Sequence, residues 1–127
     1  MQDDIGPWVI LSDGDLRAAE VLLASEQIQA VSFHCQQAVE KRLKALYVQT
    51  KGEMPPRTHT LPRIAAEIGL EADEAMRAFL VELTYGYIAY RYPTLDGALP
   101  EAQYEEDAER LLARTKEAVE WLDHLLK

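Results

Sequence analysis

Apolar residues recur along this chain in steps of three and four, the spacing that lines one face of a helix. No segment shows the strict alternation of a half-buried strand. Ile5, Val9, Leu16, Ala19 and Leu23 keep the helical step across residues 4 to 24, which predicts a first helix. Gly14 interrupts it at a cost of about 1 kcal/mol relative to alanine. Ser12 offers a later N-cap, with Asp15 three residues on as an acidic first-turn partner. The stripe begins before Ser12, so the longer helix is preferred. Ser25, Glu26 and Gln27 break the pattern, and Ile28 opens the approach to the next element.

The stretch Ser32 to Tyr47 has no Gly or Pro and many strong helix formers. Val31, Cys35, Ala38, Val39, Leu43 and Leu46 fall on one side of it, and Phe33 and Tyr47 near the opposite side. Apolar groups on two sides predict a central helix with more than one packing neighbour, its own chain on one side and another chain or a ligand on the other. That pattern predicts a homodimer. Gly52 is placed to end the helix, with Lys51 near its negative end. Pro55 and Pro56 stiffen the loop that follows. Thr60 is a plausible N-cap for a short third helix with Pro62 in its first turn, Leu61, Ile64, Ala65 and Ile68 on its apolar face, and Gly69 at its end. A fourth helix is predicted from about Ala72 to Arg91, with Met76, Phe79, Leu80, Leu83, Tyr87 and Tyr90 on one face and Pro93 as its stop. After a loop with an Asp96–Gly97 turn signal, Glu101 to Leu126 carries the stripe Tyr104, Ala108, Leu111, Thr115, Ala118, Leu122 and Leu125. The expected fold is all-α: an up-down bundle of four longer helices and one short one, in a single domain over residues 1–127.

Charge narrows the function. The chain of 127 residues has a formal net charge of −9, which opposes non-specific grip on nucleic acid, where phosphate neutralisation dominates. It suits a basic partner instead. One cysteine, Cys35, on an apolar helix face argues for a buried residue in a reducing compartment, with no disulfide framework and no zinc-type cluster. The acidic start (Asp3, Asp4) lacks the basic region of a signal peptide, and no apolar run is long enough to span a membrane, so a cytoplasmic protein is expected. The three histidines, His34, His59 and His124, form no Glu-x-x-His pair. No metal and no cofactor are therefore expected.

The chemically richest stretch is Thr84 to Pro93, in which Tyr85, Tyr87, Tyr90 and Tyr92 surround Arg91. Arg91 at a helix end can neutralise the terminal carbonyls while the tyrosines pack in the core. It can equally bind a phosphate, with the tyrosines offering faces to a base.

Three pieces of the sequence, in order, resemble a known family. Phe33-His34-Cys35-Gln36-Gln37-Ala38-Val39-Glu40-Lys41-Arg42-Leu43-Lys44-Ala45 is similar to the second-helix signature of HEPN domains (higher eukaryotes and prokaryotes nucleotide-binding). His59-Thr60-Leu61 is similar to the His-x-Leu after that family's proline loop, and Tyr90-Arg91-Tyr92-Pro93 resembles its Arg-Tyr-Pro. The resemblance implies a helical bundle that commonly dimerises and is often paired with a minimal nucleotidyltransferase as toxin and antitoxin. It also implies, in many members, a metal-independent ribonuclease in which a histidine follows an arginine by four to six residues. Here the positions after Arg91 are Leu95, Asp96 and Gly97, so that histidine is absent and with it the usual acid–base group. Arg91, Tyr90, Tyr92, Tyr87 and His59 are the candidate nucleotide or phosphate ligands. His59 can alternatively brace the third helix. Phe33, Gln37, Glu40 and Lys41 are candidate dimer or interhelix contacts. The favoured expectation is a dimeric nucleotide- or RNA-binding or nucleotidyltransferase-partner module. A ribonuclease using Arg91 with a replacement base and a purely structural helical adaptor are the alternatives.

Overall fold

Five helices form in the computed structural model, which describes residues 4–89 and 105–127: α1 Gly6–Ala24, α2 Ile28–Lys51, α3 Leu61–Glu67, α4 Glu74–Ala89 and α5 Glu105–Leu125. Four are long and one is short, and no strand occurs among the described residues. At 24 residues α2 spans about 36 Å. The other four helices all pack against it.

The long form of α1 holds. Ser12 lies inside it, buried, and donates its hydroxyl to the Ala38 carbonyl of α2 at 2.6 Å. A three-residue link joins α1 to α2. Glu26 takes a left-handed conformation there (φ 62°), the place where glycine is usual, and the Gln27 N–H returns to the Leu22 carbonyl at 2.8 Å. Gly52 ends α2 in the same conformation (φ 67°), with its N–H on the Val48 carbonyl.

The apolar stripe of α2 forms the middle of the core: Val31, Cys35, Val39 and Leu43 are fully buried, and Leu46 nearly so. Around them close Ala19 of α1, Leu61 and Ile64 of α3, Phe79, Leu80 and Leu83 of α4, and Ala108, Ala118 and Leu122 of α5. Burying each large side chain contributes about 1.5–3 kcal/mol, so this helix is held far more by packing than by propensity. Burial extends well beyond the stripe, to Ser32, Gln36, Glu40, Arg42, Lys44 and Tyr47. The far side of α2 is thus covered largely by the same chain. Two-sided apolarity of the central helix is explained by its intrachain neighbours and does not by itself require a second subunit.

Two helix starts differ from expectation. Thr60 sits at the N-cap of α3, but its side chain caps nothing. The Leu61 N–H donates instead to the Thr84 hydroxyl of α4 at 3.0 Å, and that hydroxyl donates to the Leu80 carbonyl at 2.9 Å. Helix α4 starts after Asp73, whose carboxylate accepts from the Met76 N–H at 2.7 Å as an N-cap. On α5 the stripe is buried from Ala108 through Leu122, whereas Leu125 is 37% exposed.

Candidate functional site

Gln36, Glu40 and Lys44 are four residues apart on α2, so they stack on one face of the helix. All three are buried. A buried carboxylate is tolerated only when its oxygens are partnered. Glu40 meets that condition in full. Its Oε1 accepts from Gln36 Nε2 at 3.0 Å and from His59 Nδ1 at 2.8 Å, and its Oε2 accepts from Lys44 Nζ at 3.1 Å. Gln36 Nε2 also donates to the His59 carbonyl at 2.9 Å, which fixes the backbone of the same residue. Gln37 Nε2 closes the group by donating to Gln36 Oε1 at 2.7 Å.

An ionised carboxylate offers only acceptors, so His59 Nδ1 carries a proton in this pair. The imidazole is thereby held in one orientation by a carboxylate beneath it while its ring is 55% exposed. A histidine oriented in this way can donate to an anion or move a proton at the surface. His59 stands two residues before Leu61, the residue whose N–H is anchored on Thr84. Thr84 in turn opens the tyrosine-rich stretch that leads to Arg91. The structure therefore links two segments that are remote in sequence, His59-Thr60-Leu61 and the last turns of α4.

The remaining candidate ligands fall elsewhere. Tyr87 is in the last turns of α4. Its side chain lies outside the described residues, as do Tyr90, Arg91, Tyr92, the loop with Asp96–Gly97, Glu101 and Tyr104. Lys41 reaches across to Asp15 of α1, a carboxylate that also accepts from His34 Nδ1 at 2.9 Å. Half-buried Phe33 meets His34 edge-on, with ring centroids 5.0 Å apart.

A second charged cluster on α2 was not expected from the sequence. Arg42, with its side chain 5% exposed, donates through Nε to Asp123 at 2.8 Å, through Nη2 to Asp13 at 2.7 Å and through Nη1 to Ser12 at 2.5 Å. It ties α2 to α1 and α5 at once. Burial disfavours its charge, but Asp123 and Asp13 together outweigh burial and hold its pKa above the ordinary value. On the apolar side, burial pushes the Cys35 thiol up to about 11, which suits an inert core residue and not a nucleophile. Among the described residues no group of three or more His, Cys, Asp or Glu could hold a metal ion, and no helix is long and apolar enough to cross a membrane.

Gln36, Lys44, Arg42 and Thr84 were not singled out by sequence reasoning, and Ser12 was considered only as a helix cap. For Gln36 and Lys44 a signal existed, since they flank Glu40 at i−4 and i+4 on a helix with apolar residues all round. Arg42 and Thr84 bond to distant segments, and nothing local marks them.

The family model for the HEPN domain matches residues 8–125. Two solved structures superpose over nearly the whole chain. The crystal structure of TT1696 from Thermus thermophilus is 22% identical, with a TM-score of 0.84 over 96% of this chain and 98% of that one. The crystal structure of ST0689, an archaeal HEPN homologue, is 23% identical, with a TM-score of 0.76 over 99% and 100%. At these identities the likeness is one of fold. No curated protein matches the sequence.

Proposed function

The chain belongs to the HEPN domain family, and we propose that it acts as one helical module that binds a phosphate-bearing ligand, a nucleotide or an RNA end, as a homodimer in the cytoplasm. In this reading Arg91 supplies the guanidinium, Tyr87, Tyr90 and Tyr92 supply stacking faces, and His59 supplies an oriented N–H donor. The observation that carries it is the Glu40–His59 pair at 2.8 Å, set on a segment that Thr84 fastens to the helix leading into Arg91. A buried carboxylate aiming a surface imidazole is more than α3 needs for support, because Thr84 already accepts the first N–H of that helix. Exposed Ile10, Leu11, Val81 and Tyr85 provide apolar surface for a second copy. A net charge of −9 favours contact with a basic protein, such as a minimal nucleotidyltransferase in a toxin–antitoxin-like pair, over a grip on long RNA.

The test is titration of nucleotides and short 5′- and 3′-phosphorylated RNA against wild type, Arg91→Ala and His59→Ala, with thermal melts and light scattering alongside. Arg91→Ala is expected to weaken binding by about 1.5–3 kcal/mol, the range for hydrogen bonds to charged groups, while melting close to wild type. Equal affinities, or a variant that only unfolds, would make Arg91 structural.

One observation favours a second reading, a metal-independent endoribonuclease. The missing histidine after Arg91 would be replaced by His59, whose Nδ1 proton is held by Glu40 and which is thereby oriented for acid–base work. RNA cleavage by purified wild type, lost in both Arg91→Ala and His59→Ala, would establish it. Binding without cleavage would leave the first reading standing.

A further inference from the structure

At the end of the bundle where α2 and α5 finish, an open groove of about 510 Å³ is formed by the last turns of these two helices and the link from α3 to α4. Its apolar lining comes from Leu46 of α2, Ile68 and Leu70 of the link, and Trp121 and Leu125 of α5. Its end is braced by Gln49, whose Nε2 donates to the Leu125 carbonyl at 3.0 Å and whose Oε1 accepts from the Lys127 N–H at 2.7 Å. The α2 and α5 walls are therefore tied to one another before anything binds, which lowers the ordering cost of an occupant.

Charge distinguishes the possible occupants. The link that forms one wall carries Glu71 and Asp73, and the helix ends on either side of it carry Glu67 and Glu74, all four exposed within eight residues. Glu71 itself lines the groove. Lys127 lines it as well, so the acidic excess lies in the exposed rim and not in the lining itself. A second copy would bring the same acidic link against an acidic chain, and an anionic membrane would be repelled in the same way. A partner with apolar anchors flanked by Lys or Arg meets both features at once: the large side chains meet the apolar part of the lining and the cations meet the exposed carboxylates of the rim.

We propose that this groove is a docking site for a basic amphipathic segment of another protein, with Leu70 and Trp121 as the apolar contacts and Glu71 as the principal charge contact. The site lies on different residues from the Arg91 and His59 reading and stands or falls separately from it. Area alone does not set affinity at such a site. The anchor that fills the trough carries most of it, and the acidic rim sets the sign of partner accepted.

The probe is a fluorescently labelled amphipathic peptide of Leu, Phe and Lys, compared with the same peptide in which every Lys is Glu. Anisotropy gives affinities. In a Trp8→Phe background, emission from Trp121 reports whether the peptide lands in the groove. The Lys peptide is expected to bind at least about tenfold more tightly than the Glu peptide and to shift Trp121 emission saturably. Trp121→Ala should weaken it by about fivefold to thirtyfold, as loss of an interface anchor does. Glu71→Lys should weaken it several-fold, whereas Glu109→Lys, the same charge change on an exposed α5 position away from the groove, should not. Glu71 is an exposed side chain, so its variant keeps the test decisive even if Trp121→Ala fails to fold. Equal effects of Glu71→Lys and Glu109→Lys would mean diffuse attraction to an acidic protein and overturn the proposal. So would equal affinity for the two peptides, an unshifted Trp121, a change of oligomeric state in Glu71→Lys, or tighter binding to phosphatidylserine vesicles than to the peptide.

Discussion

Glu40 and Arg42 stand two residues apart on the same helix, both buried, each the centre of a polar cluster, yet the clusters are built for different ends. Arg42 is enclosed by α1 and α5, and its partners Ser12, Asp13 and Asp123 come from residues 30, 29 and 81 positions away. Its bonds are consumed in fastening three helices. Glu40 bonds within its own helix to Gln36 and Lys44 and outward to one loop residue, His59, whose ring reaches solvent. Its bonds orient one half-exposed imidazole more than they join helices. A buried charge is thus weak evidence of function by itself. Both networks reach solvent, at Asp13 and Asp123 for Arg42 and at His59 for Glu40; what differs is the group held there, two carboxylates that join helices in the first and one oriented imidazole in the second.

The comparison breaks most readily at Arg42. Arg42→Met removes three bonds that join three helices and is expected to cost about 2–4 kcal/mol, less than a fully buried pair because Asp13 and Asp123 face water. Urea denaturation measures it. A loss smaller than that of Glu40→Gln would reverse the roles assigned to the two clusters.

Alkaline pH probes the apolar side of the same helix. The folded Cys35 thiol keeps its proton to about 11, whereas the unfolded thiol releases it near its ordinary value of 9.0. Between those values the native state binds more protons, so stability falls as pH rises, by up to about 2–3 kcal/mol, and below the window Cys35 has no effect. Melts of wild type and Cys35→Ala across that range check the sign: the variant should lose the extra decline.

Glu40→Gln keeps the shape but strips the charge that Lys44 and His59 face. We expect a loss of about 1–3 kcal/mol in urea melts and a change in the His59 ring resonances by NMR. If the His59 signals stay put, Glu40 does not orient it. The smallest effect is expected at Thr84→Val, which removes the acceptor for the Leu61 N–H and should cost about 1 kcal/mol, the usual value of a helix cap. A weaker phosphate-ligand affinity in the same variant would show that the tie between α3 and α4 serves the proposed site as well as the fold.

Much of the architecture follows from local pattern. The spacing of Val31, Cys35, Val39, Leu43 and Leu46 marked the core face of α2, and Gly52 its end, because a 3.6-residue period and a left-handed terminal glycine are properties of the chain over a few turns. The same holds for the five helices, their order and the short length of α3. The HEPN signature was legible in the stretch from Phe33 to Ala45 for the same reason: it is contiguous. Partnerships were not legible. Nothing near Thr60 says that its hydroxyl leaves the cap of α3 to Thr84, and nothing near Arg42 names Asp123. Such bonds depend on which faces meet once the core closes. Which residues coil and which face turns inward could be read from the chain, since neighbours three and four apart set them. That Glu40 sits beneath His59, that Arg42 is locked between α1 and α5, and that the ends of α2 and α5 leave a groove emerged only once the helices packed, because each depends on groups that are remote in sequence.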